Sequence, residues 1–121
     1  GSAELNDVGQ ETLRAVAGAI KELKDRRVRI EGHTDNVPVG KDLPYDSHWE
    51  LSAARALAGT QFLQEAGVDP SIMSAEARSK YAPIANNKDA DGRARNRRIE
   101  IYLVPKPTGS KEAAELGDRV A

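Results

Sequence analysis

The chain has 121 residues, of which 39% are hydrophobic and 31% charged, a size and balance that suit one packed domain and exclude a disordered polar tract. Its 18 basic and 19 acidic residues leave a formal charge of -1, so no whole-molecule field draws it to nucleic acid or anionic lipid. Cysteine is absent, which excludes a disulfide framework, a thiolate nucleophile and a cysteine-held metal.

The first segment places Leu13, Val16, Ala17, Ile20 and Leu23 on one helical stripe. A helix is expected from Asp7 to Lys24, with Asn6 as N-cap and Lys21 and Lys24 at the negative end of its dipole. Arg27-Val28-Arg29-Ile30-Glu31 alternates charged and apolar residues, the pattern of a strand with Val28 and Ile30 facing inward and Gly32 ending it. His33-Thr34-Asp35-Asn36 then opens a loop of turn formers that runs through Pro38, Gly40 and Pro44. Ser47 followed by Glu50 is a capping-box pattern. It predicts a second helix from His48 to Ala66, with Leu51, Ala54, Ala58 and Phe62 on its stripe and Gly67 as its stop.

Ser71 to Arg78 is a weaker strand, and a short helical turn is expected around Asp91 to Asn96. Arg98 to Val104 has the β-branched and aromatic enrichment of a good strand, ended by Pro105 and Pro107. Residues 1–104 thus form the domain, and 105–121 a polar tail with little to bury. Helix, strand, helix, strand, strand implies an α/β two-layer sandwich, its helices on one face of a small mixed β-sheet. No run of about 18 apolar residues and no secretion-signal pattern occurs. A start at Gly1 without methionine reads as an excised piece, with any targeting or membrane segment outside it.

Three stretches carry a resemblance. Ile30-Glu31-Gly32-His33-Thr34-Asp35-Asn36, Trp49-Glu50-Leu51-Ser52-Ala53-Ala54-Arg55-Ala56 and Gly92-Arg93-Ala94-Arg95-Asn96-Arg97-Arg98-Ile99-Glu100-Ile101 resemble the three successive motifs of OmpA-like domains, in the family's order and spacing. Asp35-Asn36-Val37-Pro38-Val39 and Trp49 to Arg55 are most similar to the MotB branch. Gly1 to Leu5 is similar to the segment just after the family's first strand, so that strand is expected to be missing and part of a sheet edge to be bare.

The resemblance implies a non-catalytic domain without a cofactor that binds peptidoglycan through diaminopimelate in the stem peptide. Such a domain is expected to anchor a membrane or motor protein in the periplasm of a Gram-negative envelope, with a homodimer possible, as in stator-type relatives. The free end of diaminopimelate carries an ammonium and a carboxylate on one carbon, so its receptor needs an anion beside a planar cation. Asp35 and Arg55 supply that pair, from the end of a strand and the first turns of the next helix, which lie on one rim of the sheet. Arg55 can fork onto the carboxylate as lysine could not. On spacing alone Asp35 could equally cap its own loop, and Arg55 could be a surface ion-pair partner; the resemblance favours ligand contact for both.

Thr34 and Asn36 are expected to bind ligand or cap the loop, Val37 to line the site, and Arg97 to reach the stem peptide. His48 stands where the family often has asparagine, which leaves a backbone contact in place of a side-chain one. Arg98 is expected at the surface or in a structural role, Leu51 in the core, and Ser52 as a loop-orienting residue. Two other readings use the same residues: a metal hydrolase through His33, Asp35 and His48, which lacks a His-Glu-x-x-His pattern, and nucleic-acid binding through Arg93, Arg95, Arg97 and Arg98, which lacks stacking aromatics.

Overall fold

The computed structural model describes residues 3–40 and 43–105. Its elements are α1 (Asp7–Lys21), β1 (Arg26–His33), α2 (His48–Glu65), a 3-10 turn (Pro70–Ile72), β2 (Met73–Ala77), α3 (Ala90–Asn96) and β3 (Arg98–Pro105). The three strands form a mixed sheet in the order β2-β1-β3. β1 pairs parallel with β2, from Val28↔Met73 to Gly32↔Ala77, and antiparallel with β3, from Arg26↔Pro105 to His33↔Arg98. Parallel neighbours need a crossover, and α2 provides it. Among the described residues the outer edge of β3 has no strand beside it. The tail expected over 105–121 lies outside the described residues, apart from Pro105, which closes β3.

Alternation along β1 separates two chemistries. Val28 and Ile30 pack into one core with Leu13, Ala17 and Ile20 of α1, Leu63 of α2 and Val68. The side chains between them, Arg29, Glu31 and His33, turn to the opposite face, where Arg29 lies 4.7 Å over the Tyr102 ring. The sandwich is therefore two-layered, with helices packed on one face of the sheet.

Several boundaries differ from the sequence pattern, each for a local reason. The first helix stops at Lys21, three residues early, because Asp25 takes a left-handed φ of 59° to turn the chain into β1. Leu23 is consequently left 43% exposed and off the core stripe. Gly32 does not end β1: the strand continues through it to His33, and the missing side chain lets α2 press onto the sheet. A Cβ at Gly32 would lie 1.9 Å from the Ser52 carbonyl oxygen.

The buried face of α2 is Leu51, Ser52, Arg55, Ala56, Gly59 and Leu63, rotated from the expected Ala54, Ala58 and Phe62. Three of its members are polar or glycine, which a purely apolar periodicity passes over. Ser47 does cap α2, accepting from the Glu50 amide at 3.2 Å. The Glu50 carboxylate, however, accepts from the Asp46 amide rather than from that of Ser47, so the reciprocal half of the capping box is shifted by one residue. Among the described residues no helix is long and apolar enough to cross a membrane.

Candidate functional site

The carboxyl end of β1, the first turns of α2 and the junction of α3 with β3 meet on one rim of the sheet. Asp35, two residues past the end of β1, is 8% exposed. One of its oxygens accepts the Val37 amide at 3.1 Å and the other accepts from Arg97 at 2.6 Å. Arg55 enters from α2, 7% exposed, and donates to the His33 carbonyl at 2.9 Å. Burial draws its guanidinium down from the usual value; Asp35 and Tyr45 oppose that shift, and Arg97 adds to it. Asp35, Arg55 and Arg97 line a pocket of about 230 Å³ together with Val37, Pro38, Val39, Gly40, Leu43 and Leu51. One carboxylate and two guanidiniums thus face a small space with partly apolar walls, an arrangement suited to a compact zwitterion.

A larger cavity of about 590 Å³ opens between the start of α1 and β3, and Arg55 and Arg97 line it as well. Its carboxylate is Glu4 rather than Asp35, so it lacks the Asp35–Arg55 pairing, and the smaller pocket is the candidate site.

The remaining predicted residues occupy distinct positions. Thr34 lies inside, 3% exposed, its hydroxyl donating to the Asp35 carbonyl at 2.8 Å and its amide to the Ser79 carbonyl at 3.0 Å. Val37 is exposed and lines the pocket, and Asn36, between it and Asp35 in the chain, is exposed. The His48 ring meets the Val37 carbonyl through Nε2 at 2.6 Å, which ties the loop to the start of α2. Leu51 is buried, and Ser52 holds the loop after β2, its hydroxyl accepting from the Ser79 amide at 3.0 Å.

The metal reading required His33, Asp35 and His48 together, and the fold separates them. His33 turns to the opposite face of the sheet, 2.9 Å from Glu100 and 3.3 Å from Glu31. These three are the described residues whose ligand atoms gather closely, within 4.8 Å of one another. Arg29 and Arg98 approach the two carboxylates at 2.8 Å and 2.7 Å, and Arg78 lies 3.8 Å from Glu31. Guanidiniums already stand where a metal's charge would be wanted. Burial pushes the Glu31 carboxyl up, but the Arg29 hydrogen bond and the neighbouring charges bring it net below its ordinary value. For Glu100 burial likewise pushes up, and the Tyr102 hydroxyl and Arg98 bring the carboxyl net down. Burial and Arg98 lower His33, against the pull of Glu100 and Glu31.

The arginine run is likewise engaged within the domain. Arg93 donates to the Asn87 carbonyl, Arg97 to Asp35, and Arg98 to Glu100 and to the carbonyls of Asn96 and Ala82, while Arg95 is exposed. Sequence reasoning did not single out Asn96. It is fully buried; its carbonyl oxygen accepts the amides of Ile84 and Ala85, and its amide nitrogen donates to Ala85 and Asn87. Its place just before two arginines at a helix–strand junction was the available signal.

Comparison with known proteins bears on the family and the fold. Motility protein B of Bacillus subtilis (strain 168) is 40% identical over 91 residues, covering 74% of this chain and 34% of the relative. Peptidoglycan-binding protein ArfA of Mycobacterium tuberculosis (strain ATCC 25618 / H37Rv) is 37% identical over 102 residues, covering 84% of this chain and 29% of the relative. The chain therefore spans about a third of the length of these relatives.

Among solved structures, the C-terminal domain of Helicobacter pylori MotB superposes with a TM-score of 0.81 at 27% identity, covering 98% of this chain and 88% of that one. The cell wall anchor of the T6SS from Pseudomonas aeruginosa gives 0.74 at 40% identity, covering 88% and 72%. The OmpA family model matches residues 1–97. With its three motifs converging on one rim of this sheet, the chain belongs to the OmpA family.

Proposed function

We propose that this domain binds peptidoglycan non-covalently, holding the diaminopimelate end of the stem peptide in the Asp35–Arg55–Arg97 pocket, and so ties a membrane or motor protein to the cell wall. The observation that carries the reading is the convergence of one buried carboxylate and two guanidiniums on a single small pocket. Asp35 takes the ligand ammonium, and Arg55 with Arg97 takes its carboxylate, a fork-to-carboxylate contact that lysine cannot reproduce. Asn36 and Val37 shape the mouth, and Thr34 and His48 hold the loop from behind. No bond is made or broken, so the role is binding without catalysis. The names of ArfA and of the T6SS anchor support a place in the cell envelope, and a Gram-negative periplasm is the compartment we infer. The outer edge of β3, which has no strand beside it among the described residues, is the surface we assign to a homodimer, which sedimentation velocity tests.

The decisive experiment is titration with soluble stem peptides, followed by amide spectra. Diaminopimelate peptides should shift Asp35, Arg55 and Arg97 saturably, and lysine-type peptides should bind more weakly because they lack the second carboxylate. Asp35→Ala and Arg55→Ala should each weaken sacculus binding by roughly 1.5–3 kcal/mol, the value of a charge-assisted hydrogen bond. A variant that loses stability while its affinity per folded molecule is unchanged would assign that residue a structural role only.

A further inference from the structure

Beside the pocket lies a feature that the charge-pair reading leaves unused. Trp49 is 51% exposed and Tyr81 66% exposed, and their rings meet at 5.7 Å with a 41° tilt. A single large side chain at a surface is ordinary. Here two aromatic rings from separate segments are held together in solvent, in a chain with one tryptophan, three tyrosines and one phenylalanine.

Both rings project from segments that the bonds of the pocket tie down. Trp49 follows His48, whose ring holds the Val37 carbonyl, and the Val37 amide in turn holds Asp35. On the other side, Ser79 is tied to Ser52 and to Thr34, next to Asp35, and Tyr81 follows two residues later. The Lys80 ammonium stands 5.8 Å from the Tyr81 ring centre, placing a hydrogen-bond donor beside the apolar faces. Paired aromatic faces with a polar group at the side match a pyranose ring, which presents axial C–H groups on its face and hydroxyls at its rim.

We propose that the Trp49–Tyr81 pair is a second subsite, which stacks on an N-acetylated hexosamine of the glycan strand while the pocket holds the peptide. The proposal rests on the stem-peptide reading for its geometry. A stem peptide held by its diaminopimelate side chain keeps the sugar it hangs from tethered within the span of a few extended residues, about 3.3–3.6 Å each, plus the length of that side chain, and the aromatic pair is linked to Asp35 by the short relays above.

Three probes test it: the bare stem peptide, the same peptide carrying its disaccharide, and a chitin-type oligomer of N-acetylglucosamine. Trp49 is the sole tryptophan, so its emission reports the subsite directly. The disaccharide peptide should bind about fivefold more tightly than the bare peptide, a gain of the size expected for one aromatic stack. It should shift Trp49 emission, as should the oligomer at high concentration, while the bare peptide should not. The double variant Trp49→Ala with Tyr81→Ala should lose that advantage and keep the bare-peptide affinity, which also certifies its fold.

Equal affinity for the two peptides, or an equal loss for both in the variant, overturns the subsite and leaves the pocket intact. Failure of the bare peptide alone overturns the pocket, and the subsite is then judged by the variant's effect on the disaccharide peptide. No binding of any probe overturns both. A variant that changes only the sedimentation coefficient identifies the pair as a contact between copies and refutes the subsite.

Discussion

Replacing Gly32 with alanine tests how the site is built. An ideal Cβ there falls 1.9 Å from the Ser52 oxygen, 2.8 Å from the Ala56 nitrogen and 2.9 Å from the Ser52 carbonyl carbon. All three are backbone atoms of α2, so no rotamer change relieves the clash, and the helix must retreat locally by on the order of 1 Å. Retreat opens a gap beneath Ala56, Gly59 and Leu63, where a gap of that size forfeits a quarter to a half of each dispersion contact. The cost is about 3 kcal/mol, at the upper end for overpacking, or roughly 12 °C or more in melting temperature for a domain this small.

The same movement stretches the 2.9 Å bond from Arg55 to the His33 carbonyl, so wall affinity should fall even at temperatures where the variant stays folded. Thermal and urea unfolding by circular dichroism give the first number, and a sacculus pull-down at low temperature gives the second. A Gly32→Ala protein that melts within a few degrees of the parent would refute this account of how α2 seats on β1.

Acidification should destabilise the domain in two stages. His33 has a folded pKa below its ordinary 6.5, owing first to burial and then to Arg98. The unfolded chain therefore takes up the proton first, and the His33 contribution is complete above pH 6.5 and declines as pH falls toward the folded value. Glu31 and Glu100 have folded pKa values below 4.5, so their contribution is complete above pH 4.5 and is lost as pH falls through those values. Melting temperature against pH should show both declines, and His33→Asn should flatten the first. Ser79 holds a left-handed φ of 56°, where a side chain costs roughly 1–2 kcal/mol and glycine does not. Ser79→Gly should therefore raise stability by about 0.5–1 kcal/mol after glycine's extra entropy loss, measured as a shift in urea midpoint at constant slope.

Much of this was legible in the sequence because pattern and chemistry agreed. Val28 and Ile30 alternate with Arg29 and Glu31, and both faces of β1 follow from that alternation. Asp35 and Arg55 reached one rim because a strand end and the next helix start must adjoin in a strand–helix unit. The misreadings came where burial and polarity diverge. Ser52, Arg55 and Gly59 form half of the buried face of α2, so an apolar stripe pointed to its flank instead. Gly32 looked like a strand terminator, whereas its lack of a side chain serves close packing, which only tertiary contact defines. His33 sat two residues from Asp35 in the chain and suggested a shared site, but β1 ends at His33, so the alternation that sets His33 beside Glu31 stops before Asp35 and the loop takes Asp35 elsewhere.

The central place of β1 has a mechanical consequence. Asp35 lies two residues past the end of a strand that is bonded along both sides, over five register positions to β2 and eight to β3. Tension from a ligand held at Asp35, directed along β1, runs across the hydrogen bonds of both ladders and loads them together in shear. Were Asp35 attached to an edge strand pulled sideways, the same bonds would open one after another like a zip. A wall polymer gripped at this rim, as proposed, would therefore pull on the stiffest direction of the sheet, and rupture at the ligand should precede unfolding of the domain.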